Sequence, residues 1–182
     1  MMRTLGAELI EVEAGDFDGA ILLRDKLAKE NGWYNTNQFH NPLNIECHYR
    51  TTGEEIVRAC SLLKITPAAF VSGTGTGGTI MGVAHKLRES FPNVKIIAVE
   101  PAESPVMSGG EAGLHGIQGI GDGSKFLVDL QQIDEIITVS TDAAKQRTRE
   151  LIKEDGMLVG ISSGANVFAA EKWIAENEFD GI

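Results

Sequence analysis

The sequence has few residues of the kind that build metal or disulfide sites. It contains only two cysteines, Cys47 and Cys60, and they form no C-x-x-C pair. The four histidines are scattered along the chain without metal-ligand spacing: His40, His48, His85 and His115. These absences predict reduced thiols, a cytoplasmic location and no metal site.

Positive charge and long apolar runs are also scarce. Lys and Arg number 16 against 26 Asp and Glu, so the 182-residue chain carries a net charge of -10 and has no polybasic segment. That balance argues against nucleic acid and anionic membranes as partners. No apolar run approaches the roughly 20 residues of a membrane span, and the N-terminus lacks the apolar core of a signal peptide. An apolar share of 42% and a charged share of 23% are typical of a soluble globular protein.

Short apolar runs alternate with amphipathic segments along most of the chain. Strands are predicted at Ala7–Val12, Ala68–Val71, Val94–Val99 and Ile136–Val139. Helices are predicted at 18–31, 51–61, 80–91, 142–155 and 166–176. The alternation predicts an α/β fold with a parallel sheet that is covered by helices on both faces. Between Pro101 and Lys125 lies a Gly-rich stretch, the long loop, whose length indicates a functional or mobile segment.

A second Gly-rich segment follows the strand predicted at Ala68–Val71. Residues 72–79 read Ser-Gly-Thr-Gly-Thr-Gly-Gly-Thr, and a helix follows. We name residues 73–78 the glycine loop. Such a loop can turn several backbone N–H groups toward one point at the positive end of a helix dipole. It therefore predicts a phosphate site that needs no basic side chain.

Three phosphate-binding motifs compete for this loop. A Walker A loop fails because Thr79 stands where that motif needs lysine. A dinucleotide site fits Gly73-x-Gly75-x-x-Gly78, with Glu100 placed as a ribose-binding acid, but the loop is rich in threonine hydroxyls. Hydroxyl donors suit the third candidate, a compact phosphate ester that must be surrounded.

Several motifs occur in an order that carries a family resemblance. They are Thr51-Thr52-Gly53-Glu54-Glu55-Ile56, the run from Val71 to Thr79, Val99-Glu100-Pro101, Ser104-Pro105-Val106, Gly116-Ile117-Gln118-Gly119-Ile120-Gly121, and the run from Leu158 to Ala165. Together they resemble the cysteine synthase (O-acetylserine sulfhydrylase) family of fold-type II, tryptophan synthase β-like enzymes. The resemblance extends over nearly the whole chain.

The resemblance implies a set of site residues for pyridoxal 5'-phosphate and substrate. The implied phosphate ligands are Gly75, Thr76, Gly77 and Thr79, with Gly78 keeping the backbone close. It places Ser162 at the pyridine nitrogen, Gln38 near the substrate carboxylate and Gly119 on the other side of the cofactor. Local sequence leaves a second interpretation open for Ser162 and Ser163, which is N-capping of the next helix.

The implied reaction is β-replacement of the acetyl group of O-acetyl-L-serine by sulfide, which gives L-cysteine and acetate. Implied partners are a second copy in a homodimer and the C-terminal tail of serine acetyltransferase. A cystathionine β-synthase-like or O-phosphoserine-using relative stays open. Outside this class, an NAD-type dinucleotide-binding domain or a non-catalytic binding remnant stays open.

The resemblance also implies parts that this sequence does not contain, foremost a Schiff-base lysine upstream of the glycine loop. The lysines on predicted helices fit solvated faces: Lys26, Lys29, Lys86, Lys145, Lys153 and Lys172. We therefore expect a partial fold, with residues 1–40 a remnant of the small domain and residues 41–182 most of the large cofactor domain. We expect the chain alone to be inactive.

Overall fold

The computed structural model describes residues 1–13 and 16–179, which form two compact units, Met1–Asn37 and Gln38–Ile182. The first unit holds a 3-10 turn at Arg3–Leu5 and helix α1 at Phe17–Asn31. Helix α1 begins after Asp16, whose side chain accepts a hydrogen bond from Gly19 N–H at 2.9 Å, and ends at Gly32 with φ 65°. The assignment of residues 1–40 to a small-domain remnant stays a prediction.

The strand predicted at Ala7–Val12 is wrong. Those residues have no regular secondary structure, and every strand in the described part of the chain belongs to the second unit. An apolar run becomes a strand only when a neighbour pairs its backbone N–H and C=O groups, and the first unit supplies none among its described residues.

Over its described residues, 38–179, the second unit contains three strands and five α-helices. The strands are β1 at Ala69–Gly73, β2 at Lys95–Pro101 and β3 at Glu135–Val139. The helices are α2 at Leu43–His48, α3 at Glu54–Leu63, α4 at Gly78–Ser90, α5 at Thr141–Glu154 and α6 at Ile161–Glu176. A π-helical turn at Tyr49–Gly53 joins α2 to α3, and a 3-10 turn lies at Leu130–Gln132.

The three strands form one parallel sheet in the order β1-β2-β3. Ala69 pairs with Lys95 and Gly73 with Val99, while Ile97 pairs with Glu135. Because all three strands run the same way, their carboxyl ends meet at one edge. In open parallel sheets that edge is where ligands bind.

Both faces of the sheet are buried, as the sequence predicts. Alternate residues of β2 enter two separate cores, because successive side chains of a strand point to opposite faces. Ile96 and Ala98 pack with the apolar face of α4. Ile97 and Val99 pack with residues of α5 and α6, including the buried Trp173. The predicted parallel sheet covered on both faces is confirmed.

Two helices begin earlier than the sequence predicts. Helical structure starts at Leu43, directly after Pro42, and continues through the π turn, whereas the pattern predicted a start near residue 51. Helix α6 starts at Ile161, so Ser162 and Ser163 lie inside its first turn. Its N-cap is Gly160, with no side-chain cap, and the N-capping interpretation of the two serines is therefore wrong.

In the part of the chain that the structure describes, no helix combines the length and apolar character that crossing a membrane requires.

Candidate functional site

A cavity of about 310 Å³ lies where β1 runs through the glycine loop into α4. Residues from three segments line it: Gln38, Gly73, Gly75, Thr76, Gly77, Thr79, Ile80, Gly119 and Asp122. The structure thus brings together six of the eight predicted site residues. Gly78 lies next to the lining and is buried. Ser162 is not among the lining residues.

The glycine loop is packed too closely for side chains. A Cβ on Gly75 would lie 2.7 Å from the carbonyl oxygen of Gly119, and one on Gly78 would overlap the Asn44 side chain. Gly77 has φ +87°, and a Cβ there would lie 2.6 Å from Val128. The loop therefore needs glycine both for space and, at Gly77, for a left-handed backbone.

Three backbone N–H groups of the glycine loop, those of Gly75, Thr76 and Gly77, are available to a ligand. The carbonyls of Thr74 and Thr76 are taken by N–H groups of Gly121 (2.9 Å) and Leu127 (3.0 Å). Among the described residues no acceptor is found for the N–H groups of Gly75, Thr76 and Gly77. Together with the first-turn N–H groups of α4, they form a set of donors at the positive end of a helix.

Two threonine hydroxyls lie beside these donors, and neighbouring groups contact each one. The Thr76 hydroxyl oxygen accepts from Asn44 Nδ2 at 3.0 Å and from Gly78 N–H at 3.2 Å, so its own proton is free. Asn44 also donates to the Gln38 carbonyl at 2.9 Å. The Thr79 hydroxyl lies 3.2 Å from Nε2 of His48. Sequence reasoning missed Asn44, because nothing in the local pattern around it points to the glycine loop.

Comparison with known proteins decides the family. The sequence pattern of the family described as pyridoxal-phosphate dependent enzyme matches residues 1–181. The chain belongs to this family.

Among the relatives, a cysteine synthase of Staphylococcus aureus is 41% identical over 174 residues, which are 93% of this chain and 55% of the relative. A solved cysteine synthase of Entamoeba histolytica superposes with a TM-score of 0.84 at 42% identity, over 92% of this chain and 50% of that protein. A hydrogen sulfide-producing enzyme of Fusobacterium nucleatum gives a TM-score of 0.89 at 39% identity, over 94% and 52%. The chain spans about half the length of these relatives.

The residues around the cavity fit the phosphate of the family's cofactor. Pyridoxal phosphate presents a compact dianionic ester, which amide and hydroxyl donors can surround. The cavity and the donors that line it match that shape and charge. In the described part of the chain no lysine or arginine lines the cavity, so backbone N–H groups and hydroxyls are the donors that it offers.

Ser162 lies in the first turn of α6, half-buried, and its hydroxyl has no hydrogen-bond partner in the described part of the chain. One turn later, Asn166 Oδ1 accepts from Gly73 N–H at 2.7 Å. That bond ties the start of α6 to the end of β1, beside the cavity. The role of Ser162 at the pyridine nitrogen stays a prediction.

Glu100, the acid that a dinucleotide site would need for the ribose, instead accepts hydrogen bonds from the long loop. Its carboxylate is 2% exposed and accepts hydrogen bonds from Met107 N–H at 2.8 Å and from the N–H and hydroxyl of Ser108. Both oxygens thus anchor the long loop. A ribose hydroxyl has no access to them, which removes the main support for an NAD-type site.

Asp122 is a lining residue that sequence reasoning missed. Among the described residues that line the cavity it is the one with an ionisable side chain, and its Oδ2 comes within 3.5 Å of a Cβ built on Gly75. No ion pair with a described residue neutralises it. The signal was present in the Gly121-Asp122-Gly123 run, where a carboxylate interrupts a stretch otherwise suited to backbone contacts.

The π turn and the first residue of α3 are held to α4 by a group of charged and polar side chains. Tyr49 donates to Glu89 at 2.6 Å, and this hydrogen bond raises the pKa of Tyr49. Lys86 lies 2.9 Å from Glu54, whose hydrogen bond raises the pKa of Lys86. The Tyr49 hydroxyl in turn lowers the pKa of Glu89. These contacts fix the position of the preceding residue, His48.

Proposed function

We propose that this chain is the cofactor-binding part of a cysteine synthase. The reaction is β-replacement of O-acetyl-L-serine by sulfide, which yields L-cysteine and acetate. The observation that carries the proposal is the cavity itself, in which free N–H groups and hydroxyls converge without a basic side chain. The resemblance to cysteine synthases at 41% and 42% identity supports the choice of reaction.

Each part of the cavity has a role in this proposal. The N–H groups of Gly75, Thr76, Gly77 and Thr79 and the hydroxyls of both threonines hold the phosphate. Gly78 lets Asn44 come close. Gln38 and Gly119 line the side open to substrate. Bound pyridoxal phosphate supplies an electron-withdrawing ring that eases loss of the leaving group. Ser162 meets the ring nitrogen with a hydroxyl, a poor proton source that keeps the ring largely neutral.

A cavity without basic residues disfavours the O-phosphoserine alternative. A second phosphate on the substrate is recognised best by arginine or lysine. Among the described lining residues the only charge is the negative one of Asp122, which would repel that group. O-acetyl-L-serine, whose leaving group is neutral when bound, suits the cavity better.

Asp122 favours a second candidate, release of sulfide from L-cysteine. Water replaces the thiol group, so L-cysteine and water give L-serine and hydrogen sulfide. A carboxylate in the cavity disfavours the approach of the hydrosulfide anion and can accept the proton of a neutral water. The similarity to a hydrogen sulfide-producing enzyme supports this second candidate reaction.

A chimera tests both functions. Residues 1–182 replace the matching segment of the Staphylococcus aureus cysteine synthase, which supplies the remaining 45% or so of its length. We expect the chimera to form L-cysteine from O-acetyl-L-serine and sulfide. If the chimera folds and binds pyridoxal phosphate but forms no L-cysteine, the main proposal is contradicted. If it releases sulfide from L-cysteine instead, and Asp122→Asn abolishes that release, the second candidate is the function.

Residues 1–182 alone are expected to bind the cofactor without a Schiff base, because no lysine lines the cavity in the described part of the chain. Borohydride reduction of the chain with pyridoxal phosphate, followed by mass spectrometry, checks this. Labelling of one lysine at full stoichiometry would contradict it. Cysteine formation by the chain alone, above the no-protein control, would also do so.

The homodimer, the serine acetyltransferase tail as a partner and the cytoplasmic location complete the proposal. They come from the resemblance to cysteine synthases. Size measurement of the chimera, and its titration with a peptide from the C-terminal tail of serine acetyltransferase, check the two assemblies.

A further inference from the structure

A histidine outside the cavity lining contacts one of the hydroxyls that line it. Nε2 of His48 lies 3.2 Å from the hydroxyl of Thr79, the second residue of α4. The other ring nitrogen, Nδ1, lies 2.9 Å from the hydroxyl of Thr52. The imidazole is half-buried and bridges two hydroxyls, only one of which faces the cavity.

Backbone packing holds this histidine in place. His48 ends α2, and Thr52 lies in the π turn that follows. At Gly82 of α4 a Cβ would lie 2.7 Å from the Cβ of His48 and would overlap the Ile45 carbonyl. The two segments are therefore in direct contact, which places the imidazole beside the first turn of α4. A π turn costs regular hydrogen bonding and is often kept where it positions a functional group.

Proton accounting gives the bridge two arrangements with opposite consequences for the cavity. A neutral imidazole has one N–H and one acceptor nitrogen. If Nδ1 carries the proton, it donates to Thr52, and Nε2 takes the only proton of the Thr79 hydroxyl. If Nε2 carries the proton, it donates to the Thr79 oxygen while Thr52 donates to Nδ1. Only the second arrangement leaves the Thr79 proton free for a ligand.

The neighbouring threonine of the cavity is already held in the equivalent way. Thr76 accepts two hydrogen bonds through its oxygen, from Asn44 and from Gly78, so its proton can point toward the cavity. An Nε2–H imidazole does the same for Thr79. Both hydroxyls then donate to the same anion.

We propose that His48 is a positioning residue that, as the Nε2–H tautomer, directs the Thr79 hydroxyl proton to the phosphate ester in the cavity. This inference rests on the proposed function of the cavity as the phosphate site for pyridoxal phosphate. In this proposal Thr52 orients His48, and His48 orients Thr79, which contacts the ligand.

The test uses residues 1–182 with pyridoxine 5'-phosphate, which has no aldehyde and cannot react with surface lysines. Unphosphorylated pyridoxine is the ligand control. His48→Leu removes the donor at similar size, whereas His48→Gln keeps an N–H near the position of Nε2. We expect about 5- to 30-fold weaker binding for His48→Leu, since a hydrogen bond to a charged group is at stake, and recovery to within about 3-fold for His48→Gln. His85→Leu, a substitution outside the cavity, is the protein control.

Two further readouts separate positioning from a structural effect. In a Thr79→Val background His48→Leu should cost no further affinity, because the hydroxyl that it orients is gone. In the wild-type protein, ¹⁵N NMR of the imidazole should show the proton on Nε2 when the ligand is bound. The NMR measurement needs no variant to fold.

The outcomes are distinct. Unchanged binding by His48→Leu, the same loss in the Thr79→Val background, or a proton on Nδ1 in the complex each overturn the inference and leave the phosphate site standing. Wild-type protein that binds pyridoxine 5'-phosphate no better than pyridoxine overturns the phosphate site, and the inference falls with it.

Discussion

The glycine loop and the long loop are both rich in glycine, yet they are held in different ways. The glycine loop runs from β1 into α4, and neighbouring backbone packs closely against Gly75 and Gly77. Residues 102–125 contain no helix or strand, and side-chain acceptors hold this region, chiefly the carboxylates of Glu100 and Glu103. The first loop is therefore sensitive to steric change and the second to changes of charge.

The largest effect on stability is expected from adding a side chain to the closely packed glycine loop. Gly77 and Gly109 have nearly the same φ, +87° and +86°, but a Cβ meets Val128 at 2.6 Å in the first and open space in the second. Gly77→Ala should lower the free energy of unfolding by about 2–4 kcal/mol through backbone strain and overpacking. Gly109→Ala should lower it by only about 1 kcal/mol.

Chemical denaturation of both variants measures the two changes in stability. Binding of pyridoxine 5'-phosphate is measured on the folded fraction of each variant. Gly77→Ala should also lose ligand affinity, and Gly109→Ala should keep it. Equal destabilisation of the two would mean that the glycine loop is not limited by space.

The next largest effect on stability is expected from removing the charge of Glu100, which anchors the long loop. Glu100→Gln replaces one of two buried acceptor oxygens by an NH₂ group, which must face the N–H of either Met107 or Ser108. The free energy of unfolding should fall by about 1–3 kcal/mol, the usual cost of an unsatisfied buried group. Hydrogen exchange should increase across residues 101–125 and stay unchanged in β1. Glu111→Gln, an exposed residue of the same loop, is the control.

Sequence reasoning succeeded where one local pattern decided the structure. The alternation of apolar runs and helical segments was enough to predict β1, β2, β3 and the helices that cover them. The motif order was enough for the family. It failed where a distant partner decides: Ala7–Val12 has no strand neighbour in the described part of the chain, and Asn44 and His48 meet the cavity only through packing of α2 on α4.

An intermediate effect, on ligand binding, is expected from changing Asp122. Asp122 belongs to the long loop but lies in the cavity of the glycine loop, where it repels a phosphate ester. Asp122→Asn should tighten binding of pyridoxine 5'-phosphate about 2- to 5-fold at low salt and less at high salt, because salt screens exposed charges. Calorimetric titration at two salt concentrations measures this, with Asp155→Asn as the control. Weaker binding would show that Asp122 holds the ligand.

The smallest effect depends on pH. Burial on its own raises the pKa of Glu103, but hydrogen bonds from Thr141 and the charge of His115 outweigh it and hold the pKa below its ordinary range. A lowered folded-state pKa contributes stability above the ordinary carboxyl range, and that stability is lost as the pH falls through the lowered value.

The difference in stability between wild type and Glu103→Gln should therefore be present at neutral pH and vanish in acid. Denaturation across a pH series measures it. A difference that grows in acid would contradict the assignment of the Glu103 carboxylate as the anchor of Thr141 N–H.

The most direct test of the account is an amide NMR titration of the chain with pyridoxine 5'-phosphate and, separately, with pyridoxine. We expect the N–H signals of Gly75, Thr76, Gly77 and Thr79 to shift with the phosphorylated ligand and stay unchanged with the other. Saturable binding of the phosphorylated ligand that leaves those four signals in place would contradict the central claim that oriented backbone at the start of α4 binds the phosphate.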